Sequence, residues 1–279
     1  MSRSPLLPLL AALTLSATCL SCGSEGGSQA GWALVWSDEF DGPDGAPPDP
    51  ASWTVVTGGD GWGNAEREYY TDAPGNVRQE GGSLLITAST EGIEGKDCWY
   101  GPCTHTSARL ESKGKLEQLY GRFEARIQIP RGQGLWPAFW MLGNDQSTVG
   151  WPQCGEIDIM ENVGFEPRLV HGTLHGPGYA GGGALSAPYA LPSKEAFAAD
   201  YHQYAVEWTS SELRFYVDDV LFSTRRPEDA PSGAPWVFDH PFSLLLNLAV
   251  GGNWPGDPDQ TTVFPATMKV DYVRVYVKE

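Results

Sequence analysis

From Arg122 to Ile129 apolar and polar residues alternate without a break, with Phe123, Ala125, Ile127 and Ile129 on one parity and charged or amide side chains on the other. Successive side chains of a β-strand point to opposite faces, so this period of two predicts a strand with one face in a core. Similar runs recur over Ser83 to Ala88, His202 to Trp208, Leu213 to Val217, Phe242 to Leu248 and Lys269 to Val277, with Asp218-Asp219 turning a hairpin. Gly, Pro and Asp separate the runs, and no helix-period segment of useful length appears. The pattern predicts an all-β sandwich. With one compositional break near the start and no internal repeat, 279 residues suit one large domain.

One strand carries more than packing. Gly155-Glu156-Ile157-Asp158-Ile159-Met160-Glu161-Asn162 places three carboxylates close together, with Glu156 and Asp158 on one face and Ile157 and Ile159 on the other. Strict alternation puts Met160 beside them, so a β-bulge at Met160 is expected, which returns Glu161 to the face of Glu156. An acidic stripe facing solvent is the plain alternative. However, three carboxylates on one face with no cation nearby in sequence raise at least one pKa. One ionised and one protonated carboxyl group facing each other across a bond are the equipment of glycoside hydrolysis.

The formal net charge of −17 leaves no basic patch for phosphates, which excludes nucleic acid and anionic membrane surfaces as partners and disfavours sulphated polysaccharides. Eleven Trp and eleven Tyr exceed the needs of one core, and their flat faces suit stacking on sugar rings.

Residues 1–21, with Arg3 ahead of an apolar run from Leu6 to Leu20, are expected to be a secretory signal, too short to span a membrane. Its end, Cys19-Leu20-Ser21-Cys22-Gly23, resembles a bacterial lipobox, although Cys19 stands where Leu is usual. Cys22 is therefore the expected lipidation site, against simple secretion, with residues 22–31 as a Gly/Ser-rich tether to a domain over 32–279. An exported, cell-surface or outer-membrane lipoprotein is expected, monomeric and touching the membrane only through that anchor. Cys98 and Cys103 bracket a turn-like spacer short enough for a disulfide. Cys154 is expected to be a small buried space-filler, and no paired Cys and His cluster has zinc-ligand spacing.

Several further stretches accompany the carboxylate strand: Trp36-Ser37-Asp38-Glu39-Phe40, Gly61-Trp62-Gly63-Asn64-Ala65-Glu66, Ser107-Ala108-Arg109-Leu110, Gly134 to Leu142, His171-Gly172-Thr173-Leu174-His175, Gly251 to Gly256, and Asp271 to Tyr276. Together they resemble family 16 glycoside hydrolases of the laminarinase-like endo-β-1,3-glucanase type. The resemblance implies a β-jelly roll of two curved antiparallel sheets with an open substrate groove. It makes Glu156 the nucleophile, Glu161 the general acid/base and Asp158 the residue that tunes the nucleophile. It places Asn64, Arg109, Trp136, Trp140, His175 and Trp254 in the substrate groove. Glu68 departs from the pattern, where Gln is common. Many relatives hold a structural calcium on the opposite face, and the matching positions are Glu39, Gly82 and Asp271. No cofactor is implied for catalysis. Asp271 falls in register with Val273, Val275 and Val277, where an unpaired carboxylate would be costly and calcium or an Arg partner would resolve it.

The expected reaction is retaining hydrolysis of β-1,3-glucosidic bonds in laminarin-like glucans. Mixed-linkage β-1,3-1,4-glucan is the rival substrate, agar and carrageenan fit the acidic charge less well, and a non-catalytic glucan-binding module is the alternative from another class.

Overall fold

The computed structural model describes Met1 and residues 31–279; the expected signal, Cys22 and the tether up to Ala30 lie outside the described residues. Two large antiparallel sheets stack face to face as a jelly-roll sandwich. The site sheet runs, edge to edge, through Leu185–Tyr189, Val170–His175, Glu156–Glu161, Leu135–Gly143, Phe242–Val250, Arg109–Glu111 and Thr54–Val56. The back sheet runs through Val220–Arg225, Leu213–Val217, His202–Trp208, Gly121–Gln128, Ala266–Lys278, Leu84–Ala88 and Val77–Gln79, with Trp32–Asp38 also on Ala266–Lys278. The only helical pieces among the described residues are Gln146–Val149 and three short 3-10 turns.

Alternation explains the core. Phe123, Ala125 and Ile127 of the back sheet meet Leu135, Phe139 and Met141 and Leu244, Leu246 and Leu248 of the site sheet, all of them fully or almost fully buried. The opposite parity of the site sheet is left for its other face, which receives Trp136 and Trp140, Asn247, Arg109 and the carboxylates. Val217 pairs with Val220 across Asp218-Asp219, whose φ values of 48° and 61° are those of a two-residue hairpin turn matched to strand twist.

The expected bulge is present and one residue wide, but Ile159, not Met160, is the residue left without a partner. Phe139 pairs with Met160 and Trp140 with Asp158, so Ile159 and Met160 together oppose Phe139. Both enter the core, and Glu161 emerges on the face of Glu156.

A second bulge corrects the reading of the last strand. Arg126 pairs with Tyr272 and Ile127 with Val270, which leaves Asp271 as the extra residue. Val270 and Val273 both face the core, and Asp271 does not share their face. It meets Arg126 at 2.7 Å, while both oxygens of Glu39 are taken by the guanidinium of Arg274 at 2.9 and 2.8 Å. Arginine partners thus satisfy the two carboxylates that the calcium expectation rested on. No step below involves a calcium ion.

Candidate active site

Antiparallel register brings the titratable groups together. Across the boundary between Glu156–Glu161 and Val170–His175, Glu156 pairs with His175, Asp158 with Thr173 and Glu161 with His171. On the other side Glu161 pairs with Ala138 and Asp158 with Trp140. The bulge is what keeps Glu161 opposite His171, a position that uninterrupted alternation would have given to Met160.

His175 is the hinge of the charge arrangement. Its Nδ1 accepts a hydrogen bond from the Gly181 backbone N–H at 3.1 Å, so in the neutral ring the proton sits on Nε2. Nε2 lies 3.1 Å from Asp158 Oδ2 and 3.7 Å from Glu156 Oε1. It is aimed between the two carboxyl groups, and Asp158 Oδ2 has no other donor among the described residues. Two indoles complete the set: Trp151 Nε1 donates to Glu156 Oε2 at 3.0 Å, and Trp136 Nε1 donates to Glu161 Oε1 at 3.0 Å.

Burial dominates the electrostatics. It pushes the Glu156 carboxyl up to about 8, with repulsion from Asp158 adding to the rise and His175 opposing it. Burial raises Asp158 too, and the neighbouring Glu156 and Asp158 carboxyl groups titrate as a pair that favours one shared proton. Glu161 is driven well above the carboxylate range by burial and then by the charge of Asp158. Among the described residues no arginine or lysine pairs with the three groups, so the site favours the protonated form of Glu161. A protonated carboxyl beside a hydrogen-bonded carboxylate can protonate a leaving oxygen on one side of a bond while a nucleophile attacks from the other.

The remaining expected residues divide into two groups. Trp254 stands edge-on to Trp136 at 5.4 Å and to His171 at 5.2 Å, so it shares the Glu161 end of the site. Trp140 lies on the same face, its Nε1 donating to Asn247 Oδ1 at 2.7 Å. Arg109 and Asn64 are committed within the protein. The Arg109 guanidinium is clamped between the rings of Trp62 and Trp140, at 4.8 and 4.9 Å, and bonded to Glu111. The Asn64 amide donates to Glu66 Oε1 at 3.1 Å. They shape the floor of the open face more than they offer it free donors.

Cys98 and Cys103 form a disulfide with Cα atoms 5.0 Å apart, and Cys154 is buried and free, its thiol pushed up to about 11 by burial. An unreactive space-filler is what those surroundings make of it. Sequence reasoning missed Trp151, an indole five residues from the glutamate it bonds, because nothing in a loop tryptophan announces which way its N–H will face. Among the described residues, Glu156, Asp158 and His175 are the one group whose candidate ligand atoms lie within 4.8 Å of one another. A cation there would occupy the very oxygen needed as nucleophile.

Comparison with known proteins bears on this geometry. Residues 64–274 match the family model "Glycosyl hydrolases family 16". A protein named beta-glucanase from Rhodothermus marinus is 45% identical over 277 residues, covering 92% of this chain and 90% of that protein. The catalytic domain of an endo-1,3-beta-glucanase (laminarinase) from Thermotoga petrophila superposes with a TM-score of 0.83 at 47% identity, covering 89% of this chain and 98% of the other. The laminarinase of Rhodothermus marinus does so with a TM-score of 0.80 at 45% identity, over 89% and 98% of the two chains. Because likeness of this extent spans both sheets and includes the carboxylate strand, the chain belongs to the glycosyl hydrolases of family 16.

Proposed function

We propose that this glycosidase is a retaining, endo-acting β-1,3-glucanase that cleaves laminarin-like glucans by double displacement. The observation that carries the reading is the trio Glu156, Asp158 and Glu161 on one open face, with Glu161 held protonated by burial and His175 facing the other two. Glu161 gives its proton to the glycosidic oxygen as that carbon–oxygen bond breaks, and Glu156 forms a bond to the anomeric carbon. Water then attacks that carbon, loses a proton to Glu161, and Glu156 leaves as a carboxylate. Asp158 and His175 manage the proton beside Glu156 so that it can act as nucleophile. The β-1,3 preference is supported by laminarinases as relatives, and by the bulge at Ile159-Met160 in the carboxylate strand.

The test is product analysis after digestion of laminarin, barley β-glucan and agarose side by side, with the anomeric configuration of first products followed by proton NMR. Oligosaccharides of retained β configuration from laminarin are expected. Cleavage of barley glucan alone would move the assignment to mixed-linkage glucan, binding without products would make the protein a glucan-binding module, and an inverted first product would remove the retaining mechanism.

Export and lipid anchoring at Cys22 belong to the same proposal, resting on the signal-like segment and the tether that follows it. Cys22→Ala should release the protein from membranes; a wild type already free of lipid and wholly in the soluble fraction would remove the anchor.

A further inference from the structure

The segment Asn64 to Tyr70 takes no part in the reaction above, yet it buries two carboxyl groups. Glu68 is 0% exposed and Glu66 5%, and the two carboxyl groups are close enough to shift each other's proton affinity. The nearest cation acting on them, Arg109, is bonded to Glu111. Two buried carboxyl groups in contact cannot both be ionised.

The donors around the pair locate the proton. Glu66 Oε1 accepts from Asn64 Nδ2 at 3.1 Å, and Oε2 accepts from the Tyr70 hydroxyl at 3.0 Å. Glu68 Oε2 accepts from the Val250 backbone N–H at 2.7 Å, while Oε1 faces no donor. A bare carboxylate oxygen in that position would be buried and unsatisfied; a protonated one donates to Glu66 and is satisfied. Burial raises both groups, and the charge of Glu66 raises Glu68 further.

The consequence reaches the open face through directed hydrogen bonds. Tyr70, having donated to Glu66, accepts from Asn247 Nδ2 at 3.1 Å, and Asn247 Oδ1 accepts from Trp140 Nε1 at 2.7 Å. Every bond in the chain points toward Glu66. The last member is the indole on which Arg109 lies. From behind, the disulfide loop braces the segment: Trp99 Nε1 donates to the Glu66 carbonyl and the Tyr100 hydroxyl to the Arg67 carbonyl, both at 2.7 Å.

We propose that Glu68 is a positioning residue that carries a proton at neutral pH, donates it to Glu66, and through Tyr70 and Asn247 sets Trp140 and Arg109 as a sugar-binding floor. Substrate affinity thereby acquires a pH dependence separate from that of the chemistry. The titratable and charged groups facing the pair are Tyr70 from its own strand and Arg109, with Glu111, from Arg109–Glu111. His105, paired with Glu68 across Glu68–Tyr70 and His105–Ser107, turns its ring toward Thr104 and Phe264, and Arg67 turns to Asp257. When Glu68 ionises as pH rises, two like charges face each other and the floor loosens. The use of laminarin as probe rests on the β-glucanase reading; the acid pair itself does not.

The first test needs no substrate. An isotope-edited infrared difference spectrum between wild type and Glu68→Gln should show a protonated carboxyl carbonyl in the wild type at neutral pH, lost in the variant and lost on titration to alkaline pH. In laminarin kinetics, the wild-type KM should rise several-fold between neutral and alkaline pH. Glu68→Gln, whose amide N–H donates from the same place, should hold KM level. The pH dependence of kcat, set by Glu156, Asp158 and Glu161, should remain common to both. Glu68→Leu, with no donor, should raise KM at every pH. Absence of the carboxyl band at neutral pH, or superimposable KM profiles for wild type and Glu68→Gln, would overturn the proposal. A protein that shows the band yet leaves laminarin intact would fault the substrate reading and leave the acid pair standing.

Discussion

The two sheets treat buried charge in opposite ways. In the back sheet Arg122 and Glu124 have side chains only 3% exposed, and Arg122 also reaches Glu207 and Asp219. Arg126 holds Asp271, and Arg274 holds Glu39, whose carboxyl it keeps below the ordinary carboxylate range. In the site sheet the buried Asp158 and Glu161 and the half-buried Glu156 have no arginine among the described residues, only the His175 ring and two indole N–H groups. The same antiparallel ladder thus makes inert acids on one side and reactive ones on the other. What differs is whether register delivers a guanidinium or a neutral donor to each carboxyl group.

The largest expected effects come from removing the reactive acids. Glu161→Ala should lose on the order of 10²- to 10⁴-fold in turnover, because proton donation and water activation both fail. On an activated leaving group the glycosyl-enzyme should still form, and azide should restore turnover with a product of β configuration. Glu156→Ala should lose as much or more and yield an α azide adduct, since azide then attacks the sugar directly. Proton NMR of the two adducts decides the roles; swapped configurations would exchange nucleophile and acid. Asp158→Asn should lose less than either, as it adjusts Glu156 without bonding to the sugar.

Next in size is the reverse experiment on the back sheet. Arg122→Ala leaves Glu124 buried without its cation and should cost about 3 to 5 kcal/mol of stability, while turnover per folded molecule at a permissive temperature stays near that of wild type. Denaturant unfolding and titrated activity report the two halves separately. A fall in kcat with unchanged stability would erase the contrast between the sheets.

A smaller effect separates the sheets by pH. The Glu156 carboxyl is raised from 4.5 to about 8, so across that window the folded protein keeps a proton that the unfolded chain gives up. Its contribution is fully present below the unfolded value and is lost as pH rises toward about 8. Thermal stability of the substrate-free protein should therefore decline across this range. Glu156→Gln, inactive but with no charge to bury, should flatten the decline. A melting temperature that rises with pH in both proteins would show that the site acids are not held protonated.

The smallest effect concerns the exposed pairs. Asp271→Ala should cost about 1 kcal/mol or less, the scale of a surface ion pair, and a chelator should leave the melting temperature where it was. A chelator-dependent fall abolished by Asp271→Ala would return the calcium ion to the back sheet.

Much of the site could be read without coordinates because its signals are local. The spacing of Glu156, Asp158 and Glu161 fixes a shared face once a bulge is allowed, and the need for that bulge follows from parity. What was misjudged depended on partners far away in the chain. Asp271 looked like an unpaired acid on an apolar face until a second bulge turned it toward Arg126, 145 residues earlier. Asn64 and Arg109, expected in the groove, are held by Glu66, Glu111 and two indoles, partners that no local pattern announces.

The sequence by itself determined the all-β sandwich, the core parity of its strands and the carboxylates that share one face, because a period of two and a hydrophobic residue's aversion to water act within a few residues. Only the tertiary structure decided the protonation of those carboxylates. Burial, the N–H of Gly181 fixing the His175 ring, and the chain from Glu68 to Trp140 all arise where strands distant in sequence are brought side by side. A pKa is set by everything within a few ångströms, and that neighbourhood exists only after the sheets have closed.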